Sequence, residues 1–309
     1  MTLIVVPEYL PDNHLERLRE RGEVTYEPDL YADRPALFER SANAVAIVIR
    51  NRTRIDTEFL AAANRLAVVG RLGVGLDNID MDACAAAGVV VIPAVGGNSV
   101  SVAEYVIGVM LVLNRPVFGM TEAMVAGTWP RQGHAFGREL LGQTLGLVGF
   151  GAIAQHVARR ALAFEMTVLA HDPYLPDDDP AWRAVQPSTL ADLLAAADVV
   201  SVHTPLNEQT RHLIGRAAFD AMKPNAILIN TSRGGIVDEA ALVAALRRGD
   251  IGGAALDVFT SEPLGLDAAA RFAGIGNLVL TPHVAGNTAE SVDRVAAMIV
   301  DAVLTELGG

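Results

Sequence analysis

No stretch constrains this chain more than Thr144-Leu-Gly-Leu-Val-Gly-Phe-Gly-Ala-Ile-Ala154. It reads as a short apolar strand, a glycine turn and a helix opening at Ala152, and a second apolar run, Met166 to Ala170, ends in His171-Asp172-Pro173. Gly149 permits a tight turn, Gly151 lets a pyrophosphate approach the backbone, and the helix start offers unpaired N–H groups to phosphates. Ala154 takes the third glycine position, which this pattern tolerates. Asp172 falls 21 residues after Gly151, where a carboxylate meets the ribose hydroxyls of an adenosine. Strand, turn, helix, strand and acid together predict a site for NAD, and the acid disfavours the 2′-phosphate of NADP. About 140 residues precede this unit, so another domain folds first.

At 309 residues the chain is long for one ordinary core, and two domains are expected. Half of its residues are hydrophobic, yet no apolar run reaches the roughly 20 residues of a membrane span. Met1-Thr-Leu-Ile-Val-Val-Pro7 has no basic flank and no small-residue cleavage site, so it reads as a first strand rather than a signal peptide. The single cysteine, Cys84, has no partner for an internal disulfide and reads as inert packing, which suits a reducing cytoplasm. The net charge of −12 argues against nucleic acid or an anionic membrane as partner. A small anionic substrate remains compatible, because a few placed arginines outweigh the distant field. No metal-ligand cluster is read from the sequence.

The fold class expected is α/β, with two Rossmann-like or flavodoxin-like domains built on parallel sheets. Apolar runs at 3–6, 44–49, 66–69 and 89–92 alternate with helical stretches at 14–21, 35–40, 57–63 and 81–87, and 24–26 is a further strand. Residues 99–113 read as a long helix, small or apolar nearly all round and hence buried, with more apolar surface than one domain is expected to cover and therefore packed against a partner subunit. Strands then recur at 199–202, 226–229, 254–257 and 278–280, with a helix at 239–247. The last helix, 289–307, has no place in a completed nucleotide domain and is expected to return to the first. The expected division is therefore 1–98 plus 285–309 for the substrate domain, with a nucleotide domain of 99–284 inserted between.

Three polar residues fall at strand ends in the second half, where open α/β sheets bind ligands. Arg233 lies in Asn230-Thr-Ser-Arg-Gly-Gly-Ile-Val-Asp238, Glu262 in Asp257-Val-Phe-Thr-Ser-Glu-Pro263, and His283 in Thr281-Pro-His-Val-Ala-Gly286. Each alone could be an ordinary loop residue. Together beside a nicotinamide they suit carbonyl reduction. A guanidinium clamps a carboxylate bidentately, an imidazolium gives its proton to the developing alkoxide, and a carboxylate orients the imidazole.

At these residues the chain resembles the D-isomer-specific 2-hydroxyacid dehydrogenases. The similarity runs through Gly70–Asp80, Gly97-Asn-Ser99 with Ala103-Glu104, the Gly149–Ala154 turn, Val202-His-Thr-Pro-Leu206 with Thr210, Asn230–Asp238, Asp257–Pro263 and Thr281–Gly286. The resemblance implies Arg233, Glu262 and His283 as the catalytic set. It implies cofactor contacts from Gly149, Gly151, Ala152, Ile153, Asp172, His203, Thr204, Pro205, Thr210, Thr231, Ser232, Asp257 and Gly286. It implies substrate contacts from the Leu72–Gly75 loop, Val74 and Gly75 included, and from Asn98, Arg233 and His283. One position departs: many members carry histidine where this chain has Tyr105.

Arg50-Asn-Arg-Thr53 closes a first-domain strand, where ligands of such folds arrive. Arg50 and Arg52 are candidates for a second substrate anion, with solvated surface charge as the competing reading; Arg71 reads as surface charge. The pattern around Val48–Thr53 and Val68–Asp80 is similar to sulfolactate and phosphoglycerate dehydrogenases of the same family, which points to 3-sulfolactate as substrate. Phosphoglycerate oxidation and glyoxylate or hydroxypyruvate reduction are the alternatives, and an NAD-sensing interaction protein is the distant one. The resemblance also implies a homodimer built on residues 99–127, with Trp129 the candidate for an aromatic residue passed to the partner's cleft and plain interface packing its competing reading.

Overall fold

Short β-branched runs separated by helices of two or three turns cannot pair as hairpins, so the strands run parallel and are covered on both faces. The computed structural model describes residues 2–131 and 137–308. It divides into two compact units, Met1–Asn98 with Asn287–Gly309, and Ser99–Gly286.

The first unit runs β1 (Leu3–Val6), α1 (Asp12–Arg19), β2 (Glu23–Tyr26), α2 (Arg34–Ser41), β3 (Ala46–Ile49), α3 (Thr57–Ala62), β4 (Val68–Arg71), α4 (Met81–Ala86) and β5 (Val90–Pro93). Its parallel sheet has the order β2-β1-β3-β4-β5. Alternate residues feed two cores: Ile4, Val6, Val48 and Val68 on one face, Val5, Ile47, Ile49 and Val69 on the other. Asp33, Asp56 and Asp80 begin α2, α3 and α4 by accepting the N–H groups of Ala36, Phe59 and Ala83. Strands β3 and β4 open two residues later than their apolar runs, because Ala44 and Leu66 first close turns onto Ser41 and Ala63.

The second unit runs α5 (Ser99–Asn114), α6 (Thr121–Val125), β6 (Thr144–Val148), α7 (Ala152–Ala163), β7 (Thr167–His171), β8 (Gln186–Pro187), α8 (Leu190–Ala196), β9 (Val199–Val202), α9 (Arg216–Ala221), β10 (Ile227–Asn230), α10 (Glu239–Arg248), β11 (Gly253–Leu256), α11 (Leu266–Ala270) and β12 (Leu278–Leu280). Among the described residues it forms one parallel sheet in the order β12-β11-β10-β9-β6-β7-β8. The order reverses at β6, and the carboxyl ends of the strands at such a reversal are where open α/β sheets bind ligands.

The closing helix α12 (Ala289–Glu306) belongs to the first unit. A reciprocal cap between Thr288 and Ser291 starts it. Val295, Ile299, Val300 and Val303 then enter the core under β1, β3 and β4, each stabilising the docking by about 1.5–3 kcal/mol.

Helix α5 corrects one expectation. Ala103, Val106, Ile107, Val109 and Met110 are buried within its own unit, against Ala154, Val157 and Ala158 of α7 among others. Val112 stays exposed on the helix, and more uncovered apolar surface lies further along, at Val117, Phe118, Met124, Val125 and Trp129. A helix this rich in small residues packs closely enough on α7 to satisfy itself. Among the described residues no helix is long and apolar enough to cross a membrane.

Candidate active site

Every site residue named from the second half of the sequence lies at or beyond the carboxyl end of a parallel strand, except those opening α7. After β6, Gly149 takes φ +89°, and a Cβ there would meet the His203 carbonyl oxygen at 2.8 Å. Only glycine allows this turn without strain. Gly151 faces open space where a Cβ would project, and no side chain caps the α7 N-terminus that starts at Ala152. Ile153 packs beside the core while Ala152 is exposed. The first turn of α7 therefore offers donors and a concavity for phosphate oxygens.

Asp172, after β7, accepts the Phe150 N–H at 2.8 Å and the Tyr174 N–H at 3.0 Å. It braces the glycine turn and leaves lone pairs for further donors. After β9, burial holds the His203 imidazole neutral, pushing its pKa down to about 4, and Nε2 meets Ser201 Oγ at 2.9 Å. The Thr204 and Thr231 hydroxyl oxygens are buried without a hydrogen-bond partner among the described residues. Buried polar atoms left unmatched just beyond the carboxyl ends of β9 and β10 suit a bound polar molecule. These features fit NAD. Pro205 is exposed, and Thr210 is committed to its own loop, taking the Asn207 N–H and donating to the Pro205 carbonyl. Ser232 Oγ donates to the Val202 carbonyl at 2.5 Å, tying the β10 end to the β9 end.

Three loops bring Arg233, Glu262 and His283 into one locality. Gly234 carries the first approach: a Cβ there would lie 1.9 Å from the Phe259 carbonyl oxygen, so the β10 and β11 loops touch backbone to backbone. Asn230 Nδ2 holds the Arg233 carbonyl at 3.0 Å, and the guanidinium donates to the Ser232 carbonyl at 2.7 Å. Glu262 Oε1 accepts the Phe259 N–H at 2.9 Å, while Oε2 lies 2.7 Å from His283 Nδ1. Burial alone would raise the Glu262 carboxyl. The bonds from His283 and Phe259, with the charges of His283 and Arg233, outweigh it and hold that pKa below the usual range.

Asp257, named for the cofactor, is buried and engaged with the histidine loop. It accepts Thr281 Oγ1–H at 2.6 Å and the Val284 and Ala285 N–H groups at 2.9 Å. Gly286 ends that loop and the unit.

In the first unit, Arg50 follows β3, and its guanidinium has no hydrogen-bond or ion-pair partner among the described residues. Its backbone is fixed. Buried Glu8 accepts the Arg50, Arg52 and Thr53 N–H groups and the Thr53 hydroxyl, while Asn78 Nδ2 donates to the Arg50 and Thr53 carbonyls. Arg52 differs: its guanidinium lies 5.0 Å over the Tyr31 ring and bonds the Tyr31 hydroxyl. Arg71, expected on the surface, is instead only 8% exposed and donates to the Leu72 carbonyl at 2.9 Å. Its strand is central to the sheet, so its side chain folds back onto its own loop. Val74 is exposed beyond β4, Gly75 is half-buried, and Asn98 has a buried Oδ1 with no hydrogen-bond partner among the described residues.

Glu8 and Glu239 are the residues that sequence reasoning missed. Glu8 lies two residues beyond β1, the same kind of position that drew attention to Arg50. Glu239 opens α10, where an acid is unremarkable, yet it is buried and accepts the Thr260 N–H, the Thr260 hydroxyl and the Arg271 guanidinium. It thereby anchors the loop that carries Glu262.

A parallel sheet with a phosphate cradle at its switch point, and an arginine, a carboxylate and a histidine on adjoining strand ends, defines a nicotinamide-dependent oxidoreductase. Comparison with known proteins narrows the class. Residues 107–285 match the family described as D-isomer specific 2-hydroxyacid dehydrogenase, NAD binding domain. The chain is 49% identical over 309 residues to an (S)-sulfolactate dehydrogenase of Chromohalobacter salexigens, covering 100% of this chain and 99% of the relative. It is 37% identical over 306 residues to a D-3-phosphoglycerate dehydrogenase of Archaeoglobus fulgidus, covering 99% of this chain and 57% of that one. A crystal structure of a Thermus thermophilus protein superimposes with TM-score 0.90 at 37% identity, covering 99% and 97% of the two chains. This chain belongs to the D-isomer-specific 2-hydroxyacid dehydrogenase family.

Proposed function

We propose that Arg233, Glu262 and His283 are the catalytic set for interconverting a 2-hydroxy acid and its 2-keto acid. The observation that carries this reading is the 2.7 Å bond between His283 Nδ1 and Glu262 Oε2. It commits Nδ1 to the carboxylate and leaves Nε2 as the ring nitrogen able to move a proton. Bound NAD supplies or accepts the hydride. In reduction, Arg233 holds the substrate carboxylate, His283 gives its Nε2 proton to the carbonyl oxygen as the alcohol forms, and Glu262 balances the imidazolium. In oxidation the proton returns to Nε2. His283→Ala lowers turnover by about 100- to 10,000-fold while NADH binding, followed by fluorescence, persists; near-normal turnover in this variant overturns the assignment.

The unit Ser99–Gly286 takes the role of NAD domain in this reading, with Gly149, Gly151, Ala152, Ile153, Thr204, Thr231 and Ser232 around the cofactor and Asp172 on the adenosine ribose. The unit Met1–Asn98 with Asn287–Gly309 takes the substrate role, through Val74, Gly75 and Asn98.

For the substrate, the Arg50 guanidinium, without a partner among the described residues and on a backbone fixed by Glu8, favours a second anion, with Arg52 less available because Tyr31 holds it. The 49% identity to a sulfolactate dehydrogenase supports a sulfonate, so 3-sulfolactate is the substrate proposed. Following NADH absorbance with sulfopyruvate, phosphohydroxypyruvate, hydroxypyruvate and glyoxylate tests it. Arg50→Ala costs about 10- to 150-fold in kcat/KM on substrates with a second anion and spares glyoxylate. A uniform loss across the four returns Arg50 to a structural role and removes the dianionic reading.

The exposed apolar run at Val117, Phe118, Met124, Val125 and Trp129 supports a homodimer. A monomer by sedimentation at micromolar concentration refutes this. The cytoplasm is the location proposed, in keeping with the buried free thiol of Cys84.

A further inference from the structure

Tyr105 lies on α5, far in sequence from the residues just described, and no step above uses it. Its hydroxyl is 2.6 Å from Thr281 Oγ1, and Thr281 Oγ1 donates to Asp257 Oδ1 at 2.6 Å. Chemistry sets the direction of this chain. An ionised carboxylate only accepts, threonine has a single hydroxyl proton, and that proton goes to Asp257; the phenol must therefore donate to Thr281. Burial, with the Asp257 charge adding, outweighs the bond to Thr281 and raises the phenol's pKa, so the donor proton is retained.

Asp257 is the hub on which this chain ends. Oδ1 also accepts the Val284 N–H, Oδ2 accepts the Ala285 N–H, and the Asp257 carbonyl accepts the His283 N–H at 2.8 Å. His283 itself takes φ +55°, in the left-handed region that a residue with a Cβ seldom occupies. Such a conformation persists only where its surroundings over-determine it. The bonds to Asp257 are what hold it here, and a carboxylate pinned from one side by Thr281 is less free to turn away from the two amides that follow His283.

We infer that Tyr105 is a positioning residue for His283, acting through Thr281 and Asp257. This rests on His283 being the proton donor, and it deepens that reading. Helix α5 thereby reaches the chemistry through three consecutive oxygens, although none of its side chains is placed against substrate or cofactor.

The test is single-turnover reduction, watching NADH absorbance after rapid mixing, with whichever of the four keto acids the wild type reduces fastest. Tyr105→Phe slows hydride transfer by about 3- to 10-fold, the value of one neutral hydrogen bond, and leaves the NADH dissociation constant and Tm near wild type. Thr281→Val, which breaks the chain at its middle, slows the step by at least as much, and Thr281→Ser, which keeps the hydroxyl, restores it. The double variant Tyr105→Phe/Thr281→Val is no slower than Thr281→Val alone, because both remove one path. Tyr105→Phe within two-fold of wild type, additive losses in the double variant, or a fall in NADH affinity that accounts for the slowing would each overturn the inference. His283→Asn distinguishes the two levels: if it keeps its turnover, the catalytic assignment fails, whereas a dead His283→Asn beside an unaffected Tyr105→Phe removes only the role of Tyr105.

Discussion

Gly234→Ala probes how closely two loops must approach for the site to exist. The added Cβ would lie 1.9 Å from the Phe259 carbonyl oxygen, 2.0 Å from its carbonyl carbon and 2.5 Å from the Thr260 nitrogen. All three are backbone atoms, so no side chain can swing aside. Bringing the contact out to 3.0 Å, below which real Cβ atoms essentially do not come, parts the loops by about 1 Å, a misplacement that costs on the order of 100-fold in rate. Arg233 moves with one loop, and Glu262, with the His283 bond it makes, moves with the other. Overpacking of this kind costs about 1–3 kcal/mol, a Tm loss of about 2–12 °C for a unit of this size. The expected result is a kcat/KM for keto-acid reduction about 100-fold below wild type, with a smaller rise in the NADH dissociation constant, since the α7 cradle is untouched while Thr231 and Ser232 move with the β10 loop. Tm by calorimetry confirms that the variant is folded at the assay temperature. A folded Gly234→Ala enzyme with kcat/KM within five-fold of wild type refutes the argument that this contact sets the spacing of the catalytic groups.

Other substitutions test separate parts of the site. Glu262→Gln removes an anion that is ionised throughout the working range, its carboxyl being held low chiefly by His283 against the cost of burial. Reduction needs an imidazolium that this anion orients and balances, so kcat/KM for keto-acid reduction falls by about 10- to 150-fold in the variant; a loss of less than two-fold refutes the coupling. His203 titrates near pH 4 when folded and near 6.5 when unfolded. The unfolded chain therefore binds the extra proton, and stability falls as pH drops from about 6.5 to 4, by about 3 kcal/mol in total. Urea titrations at pH 7 and 5 show a smaller drop for His203→Gln, and equal drops refute the assignment. Asp172 repels a 2′-phosphate, so wild type favours NAD over NADP in kcat/KM. Asp172→Ala also frees the Phe150 and Tyr174 amides, narrowing that preference mainly by weakening NAD; equal use of both cofactors by wild type refutes this reading.

The strand–turn–helix at residues 144–154 was legible because its information is local. A glycine forced to positive φ, a helix start without a capping side chain, and an acid one strand further on lie within thirty residues. The parallel architecture was legible for a related reason, since strands of four or five buried apolar residues joined by helices have few other ways to pair. Arg233, Glu262 and His283 stand out in the sequence because each follows a strand that the apolar pattern marks, and the family resemblance singles out the same three.

What the tertiary structure alone decided depends on residues distant in the chain. Arg50 and Arg52 look alike in sequence, yet Tyr31 takes up one guanidinium while the other has no partner among the described residues. Arg71 reads as a surface charge until its place in the middle of a sheet buries it. Glu8 and Glu239 become anchors only when loops more than twenty residues away fold onto their carboxylates. Tyr105 meets Thr281 across 176 residues of chain. Periodicity reports which face of an element is apolar, and spacing reports which residues share a turn. Neither reports which two strand ends come to lie side by side, and in this protein that adjacency decides which charges are paired, which are buried and which remain free to meet a substrate.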